Sequence, residues 1–419
     1  MKKTKEVSEV SNVYFESTLS KNKDEFLEQV PSYTKIPASS ACPYCSSDNI
    51  EIIFKAVIPT ILHACKSNEA SLSRLFPVHM ALCHECTLGF NASPLPEGVL
   101  ESLYRNYRYI KPRKNIGVSK YRDVLHMIRS LVTPDENIVE IGASDGFLID
   151  TLIEEGYSNI EGFEPSQEWE GMRYKDRIRN EFFTADTILS KPVDVFVLMQ
   201  VLEHFARPWQ ALRVMEEKLK NGGKIIFEVP NFSGVHHQHL VYFSDVYLQR
   251  LADDLGLEIL SMETTENVIR VCLKKTHHTK VFVQRKKRGA DYLLRKIKNR
   301  IEDSLNDLEM LKELIKTADN VFWWGAGSSS IMVLSDLGAE ICREKKFFFI
   351  DSDEERRGLV LPVPFLNDHS IELPSDACPR IKEEDLLVIA SSFSGEIMDT
   401  INKNRYIIPE NIMQAIRLV

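Results

Sequence analysis

The stretch IVEIGASDGFLIDTLIEEGYSNIEGFEPS, residues 138–166, limits the fold more than any other part of the chain. IVEIG is a short β-branched run of the kind that forms a parallel strand buried on both faces. Gly142 and Gly146 bracket a turn that passes through Ala143 and Asp145. FLIDTLIEEG then has apolar residues at helical spacing, and Gly156 is placed to cap its C-terminus. With IEGF following, the order is strand, turn, helix, strand. The alternation continues through VDVFVLMQVLEHF and NGGKIIFEVPNF, so this part is expected to be α/β with a mainly parallel sheet.

A chain of 419 residues is long for one compact unit and predicts two or three domains. The net charge of −9, with acids and bases interspersed, argues against nucleic acid as a partner and fits an enzyme acting on a small molecule. MKKTKEVSEV carries charges with no apolar run behind it, and no stretch of roughly eighteen apolar residues occurs. No membrane partner is expected, and the expected location is the cytoplasm.

Eight cysteines are too few for a disulfide scaffold at this length, but four of them form tight pairs. CPYC and CHEC place Cys42, Cys45, Cys83 and Cys86 in a C-x2-C…C-x2-C pattern. Each pair can point two thiolates at one centre, and two pairs give a closed tetrahedral zinc site. His63, Cys65, His79 and His84 compete as ligands without reproducing the paired spacing. Four protein ligands leave no open position, so the zinc is expected to be structural.

The segment 277–319 is rich in Lys and Arg and ends in DSLNDLEMLKELIKTADN at helical period, which predicts a linking helix with a solvated charged face. NVFWWGAGSSSIMVLSDLG and KKFFFIDSD then repeat a strand, glycine turn, helix, strand pattern. Gly325 and Gly327 allow close backbone approach, and Asp351 sits where a second-strand acid is expected, but Ser330 holds the third glycine position. This predicts a second, Rossmann-like domain rather than a dinucleotide site. The expected boundaries are 1–40 for an extension, 41–115 for the zinc-binding domain, 116–276 for the α/β domain, 277–319 for the linker and 320–419 for the last domain.

The turn VEIGASDG has a more specific reading than a phosphate cradle. Glu140 stands in the strand ahead of it, where a carboxylate can accept from the amino group of an amino-acid-like cofactor. Glu164 lies one βα unit further on, where a carboxylate can take both ribose hydroxyls, and Asp186 in TADTI is a candidate for the adenine edge. Together these acids and the glycine turn point to S-adenosylmethionine.

From residue 40 onward the chain resembles the three-domain sugar C-methyltransferases of deoxysugar biosynthesis. The likeness rests on the four cysteines, LPEGVLESLYRNYRY, VEIGASDGFLI, VLEHF, HHQHLVYFS and WWGAGSSS…IDSD. It implies an N-terminal zinc-binding domain, a central class I methyltransferase domain, and a C-terminal Rossmann-like domain that helps enclose a nucleotide-linked keto sugar. The family's segment before YFS reads Tyr-His-Glu-His, and its last histidine is regarded as the base that removes the proton beside the ketone. By that register His239 matches the base and His237 the second position, whereas His236 replaces the tyrosine and Gln238 the glutamate. The resemblance also implies that His204 of VLEHF, with Tyr109 or Tyr107 of RNYRY, holds carbonyl or sugar oxygens. In extended geometry His237 and His239 would share one side and His236 face the other. A metal at the histidines finds no acid within their own run. A family stretch of the Gly-Gly-Ser-Leu-Arg kind is reduced to Arg270 in ENVIRV, which suggests an altered substrate contact. Methylation at oxygen, or a non-catalytic scaffold that keeps the cofactor, are the alternative readings.

Overall fold

The computed structural model describes residues 38–71, 73, 75–105, 114–166, 172–276, 289–391, 394–406, 409 and 411–414. Most of the expected N-terminal extension and the first part of the linker, 277–288, lie outside them. No helix among the described residues is long and apolar enough to cross a membrane.

Strands β1 (Ile50–Pro59), β2 (Leu75–Cys83) and β3 (Gly89–Asn91) form an antiparallel meander after the first cysteine pair. The α/β unit supplies β4 (Ile138–Ile141), β5 (Ile160–Phe163), β6 (Ile178–Arg179), β7 (Val193–Met199) and β8 (Leu219–Pro230). β9 (Val241–Tyr242) leaves this unit and pairs with β3, completing a four-stranded sheet. β10 (Leu257–Thr264) and β11 (Val268–Lys275) return to the central sheet, whose order is β10-β11-β8-β7-β4-β5-β6. β4 to β8 run parallel, and β11 is inserted antiparallel beside β8.

The period-two alternation of the sequence decides which side each residue faces. Val139, Ile141, Phe196, Leu198, Phe227 and Val229 pack on one side against the Pro208–Lys218 and Asp245–Leu255 helices. Ile138, Val195, Val197 and Ile226 pack on the other against Leu125 and Ile128 and against Leu148, Ile149 and Leu152. These side chains are at most 4% exposed, so each contributes about 1.5–3 kcal/mol of transfer free energy. β4 is the first strand in the chain order of this sheet. β5 lies on one side of it and β7 on the other, and such a reversal opens a crevice at the carboxyl ends of the strands.

The last unit is an all-parallel sheet of β12 (Asn320–Trp324), β13 (Lys346–Ile350), β14 (Ile371–Glu372), β15 (Leu386–Ile389) and β16 (Asn411–Gln414), ordered β14-β13-β12-β15-β16. Val321 and Trp323 face the Ala290–Thr317 and Ser328–Glu344 helices, whereas Phe322 and Trp324 face Ile397 and Ile401 of the Ser394–Asn404 helix. The Ala290–Thr317 helix has an apolar face: Leu293, Ile297, Leu308, Leu311 and Ile315 are buried in one core with Phe54, Ala56 and Ile58 of β1 and Val321 and Trp323 of β12. The expected linker is therefore a packing element between the first and last sheets.

Candidate active site

At the carboxyl end of β4 the chain turns sharply through two left-handed glycines, Gly142 and Gly146, both at φ 74°. A methyl group on Gly142 would lie 2.4 Å from Cγ2 of Val201, so this turn and the segment after β7 touch because residue 142 has no side chain. Glu140 is 2% exposed and shares a sheet face with Ile138. Glu164 is 8% exposed and braces the turn: its Oε2 accepts from the Ser144 amide at 2.8 Å and its Oε1 from the Ser166 amide at 2.9 Å. Each carboxylate oxygen keeps a further lone pair for a ligand hydroxyl. Ala143 is buried, and Asp145 accepts from the Phe147 amide at 3.2 Å, which gives that acid a role in starting the Phe147–Glu154 helix. Glu140, Glu164 and the glycine turn are thus brought together. Asp186 is exposed on a turn after β6.

Directly after β7, Gln200 takes a left-handed φ of 55° and residues Leu202–His204 make a single 3-10 turn. The amide of Leu240 donates to the Glu203 carbonyl at 2.8 Å, bringing the histidine segment against this turn. Nδ1 of His204 is 3.0 Å from the Gln238 carbonyl, which also accepts from the Tyr104 hydroxyl at 3.0 Å. A carbonyl can only accept, so His204 carries its proton on Nδ1 and leaves Nε2 as a lone pair. His239 is 8% exposed, and its Nε2 lies 3.9 Å from Oε1 of Glu203, itself 1% exposed.

The histidines depart from the expected extended arrangement. The amide of His239 donates to the His236 carbonyl at 3.1 Å, closing a turn that puts the rings of His236 and His239 3.7 Å apart. His237 goes the other way, 1% exposed, with its ring 6.4 Å from that of Phe76 and beside the Thr60 backbone. The pairing is therefore His236 with His239, and His237 is a core residue facing the first sheet. The reason is local: an i to i+3 hydrogen bond replaces the strand geometry that the alternation assumed. The ring of His239 rests against Gly234, at φ 74°, where an added methyl would lie 2.9 Å from Cε1.

Burial sets the protonation of these rings. It pushes His204 and His237 down to about 4, each against a backbone hydrogen bond that pulls upward. His239 is held well below the usual imidazole range by burial and then by His204, and His236 by burial and then by His239. The imidazoles are neutral at pH 7.

The carboxylate missing from position 238 has a counterpart from elsewhere, since Glu203 of VLEHF lies against His204 and His239. One ligand atom from each of Glu203, His204 and His239 falls within 4.8 Å of the others. Sequence reading quoted the motif and passed over its acid. It also passed over Tyr104, whose ring is 5.5 Å from that of His204. Tyr107 and Tyr109 lie outside the described residues. Arg270 is held between carboxylates, with Nε 2.6 Å from Glu228 and NH2 3.0 Å from Asp123, which ties β11 to β8 and to the Lys114–Leu131 helix.

Cys42, Cys45, Cys83 and Cys86 converge. Cys42 is 3.5 Å from Cys86 and Cys45 is 3.5 Å from Cys83, and all four sulfurs lie within 4.8 Å of one another. A disulfide is far shorter, whereas a tetrahedral zinc–thiolate centre has sulfurs about 3.8 Å apart. All eight cysteines are free. Crowding drives the protons apart: Cys42 and Cys86 pull Cys83 far below the ordinary thiol range, while Cys42 and then Cys83 push Cys86 far above it. The donor set is compatible with zinc. In the last sheet, Asp351 accepts from the Ala326 amide at 3.0 Å and pairs with Arg356 at 2.8 Å, and Ser330 is buried between Trp323 and the Gly325 and Ala390 carbonyls. At Gly325 the turn is packed against the Ala390 carbonyl, 2.7 Å from where a methyl would sit.

Residues 118–262 match the family model described as Methyltransferase domain. No curated protein matches the chain by sequence. Among solved structures, a magnesium protoporphyrin IX methyltransferase from Synechocystis with bound SAH is 11% identical over 43% of this chain and 100% of its own, with a TM-score of 0.34. A SAM-dependent methyltransferase from Aquifex aeolicus is 11% identical over 42% of this chain and 96% of its own, with a TM-score of 0.32. The family match covers the strand, glycine turn and acids described above, so the central unit is a methyltransferase domain.

Proposed function

We propose that this enzyme methylates a nucleotide-linked keto sugar or related carbohydrate, at carbon, with S-adenosylmethionine held between Glu140 and Glu164. The observation that carries the reading is the cluster formed by Glu203 and His204, on the turn after β7, with His239 of the segment after β8; that turn directly follows Val201, whose side chain lies against Gly142. A proton leaving the carbon beside a ketone would be taken up at this cluster, with His239 in the family's base position. The resulting enolate would attack the sulfonium methyl, and a neutral thioether would depart. In this reading zinc at the four cysteines holds the first sheet and takes no part in the transfer, and the last sheet closes over the substrate.

Support comes from the order of elements. Glu140 stands in β4, Glu164 directly after β5, and Glu203 and His204 directly after β7, which are three adjacent strands of one parallel sheet. The test is incubation of the purified protein with methyl-labelled cofactor and a panel of nucleotide-linked keto sugars. Transfer to carbon of one of them, reduced at least about 100-fold in His239→Ala, is expected. Label reaching none of the panel, or reaching an oxygen, would remove the sugar C-methylation reading.

A further inference from the structure

Gln200, at the carboxyl end of β7, holds a left-handed φ of 55° without being a glycine. An L-residue keeps that conformation only where its surroundings over-determine it. Glu228 supplies the hold from the neighbouring strand: the Gln200 amide donates to the Glu228 carbonyl at 2.9 Å, and its Nε2 donates to Oε1 of Glu228 at 2.8 Å. A carboxylate only accepts, which fixes Gln200 with its amide nitrogen toward β8. The side chain crosses the sheet to make this bond. Phe196 and Leu198 pack on one face of β7 and Val195 and Val197 on the other, so alternation would send residue 200 to the side of Leu198. Glu228 lies on the opposite side with Ile226, and the left-handed backbone accounts for the crossing.

Glu228 is itself held. It is 5% exposed, and its other oxygen lies 2.6 Å from Nε of Arg270, which reaches Asp123 of the Lys114–Leu131 helix at 3.0 Å. A carboxylate buried to that degree stays in place because a guanidinium compensates it. Beyond Gln200 come Val201, whose side chain fills the space that a methyl on Gly142 would need, and the Leu202–His204 turn. We propose that Glu228, held by Arg270, is a positioning residue for the cofactor crevice: it pins Gln200 in the left-handed region, and that conformation sets Val201 on Gly142 and aims the turn carrying Glu203 and His204. It acts through the Gln200 backbone rather than by contact with a ligand. This role rests on the proposed function only in placing the cofactor beside the glycine turn.

The test compares two replacements that both remove the side-chain bond and leave the Glu228–Arg270 pair intact. Gln200→Gly takes a φ of 55° without strain, whereas Gln200→Leu keeps the strain and loses the pin. The full chain is titrated with S-adenosylhomocysteine by calorimetry. Amide exchange is followed without ligand at His204 and Leu240, whose amides donate to the Val201 and Glu203 carbonyls. Gln200→Leu is expected to lower affinity at least about 10-fold and to speed exchange by a similar factor, with Gln200→Gly within about 3-fold of the unaltered protein in both. Glu228→Ala should match Gln200→Leu when made alone, and cost less than about 3-fold further in the Gln200→Gly background. Rescue by a residue with no side chain is a result that a packing or ligand-contact role does not give. Equal losses in Gln200→Leu and Gln200→Gly, an unchanged Gln200→Leu, or a Glu228→Ala penalty that is the same in both backgrounds overturns the role. Should Glu228→Ala not fold, the two Gln200 variants decide alone. Protein that binds no S-adenosylhomocysteine rejects the cofactor reading, and exchange then judges the pin by itself; failure of the sugar panel bears on neither.

Discussion

Gly234 shows how a single missing side chain makes room for the His239 ring. Its φ of 74° is one that an L-residue adopts at a cost of about 1 kcal/mol, and its absent Cβ leaves the space that the His239 ring fills. Gly234→Ala is expected to keep the fold and the cofactor affinity while lowering methyl transfer at least about 10-fold, because a shift near 1 Å at a reacting group is worth up to roughly 100-fold. Parallel thermal unfolding, cofactor calorimetry and rate measurements check this; an unchanged rate would free His239 from any positional role. Glu164 calls for a different readout. Its two oxygens accept from the Ser144 and Ser166 amides, so Glu164→Gln sets an amide N–H against one of those donors. Removing a carboxylate acceptor and leaving a buried donor unmet costs about 1–3 kcal/mol, and cofactor affinity should fall roughly 5- to 150-fold by calorimetry. Glu140, the glycine turn and Glu164 were legible in the sequence because all belong to one strand–turn–helix–strand unit. Glu203 and Tyr104 were not: residues 203 and 239 are joined through the Leu240–Glu203 backbone bond, and 104 meets 238 from the first unit. No local pattern encodes those distances.

Among the elements, β9 has the greatest effect for its size. It is two residues long and begins just after Leu240, yet it pairs Val241 with Phe90 and Tyr242 with Gly89, three residues past Cys86. The cysteine cluster therefore braces β3, β3 braces β9, and β9 fixes the end of the histidine segment. Tyr44, between the first two cysteines, packs edge-on against Trp209 and Tyr247 of the central unit at 5.0 and 5.6 Å. Stripping metal from the cysteines with a chelator, or replacing Cys86 by Ser, should lower methyl transfer by at least about 10-fold. Cofactor affinity should change by less than about 2-fold, since Glu140 and Glu164 stand on β4 and β5. Loss of both in parallel would mean that the cluster supports the whole central unit rather than the histidine segment. The paired cysteines were readable because ligand spacing is local chemistry. The crossing of β9 to another sheet was not, because VY reads equally well as part of any apolar run, and the turn that redirects His237 depends on one backbone hydrogen bond.

At the scale of the whole molecule, the first and last sheets share a core through the Ala290–Thr317 helix, and that helix also reaches the active site. Arg300 donates from NH1 to the Asn231 carbonyl at 2.8 Å, and Phe232 follows with a left-handed φ of 51°. A non-glycine residue in that region costs on the order of 1–3 kcal/mol and persists only where its surroundings hold it. Phe232 is held from two sides, since its ring fills the space that a methyl on Gly89 would need, 2.4 Å away. The charged face of the helix was legible as solvated surface, but one of its arginines turns inward to anchor the loop carrying His236 and His239. Arg300→Ala is expected to release Asn231 and let Phe232 relax toward ordinary backbone angles, loosening the four residues that lead to His236. Methyl transfer should fall about 10-fold, with cofactor affinity kept within about 2-fold. Amide hydrogen exchange should rise in 231–240 and stay unchanged in 138–146. Leu311→Ala, in the same helix but facing only the shared core, separates anchoring from stability. It should cost about 2–5 kcal/mol of stability and leave the rate per folded molecule intact. Equal loss of rate in both variants would mean that the helix acts on the site through overall stability, and Arg300 would then have no positioning role.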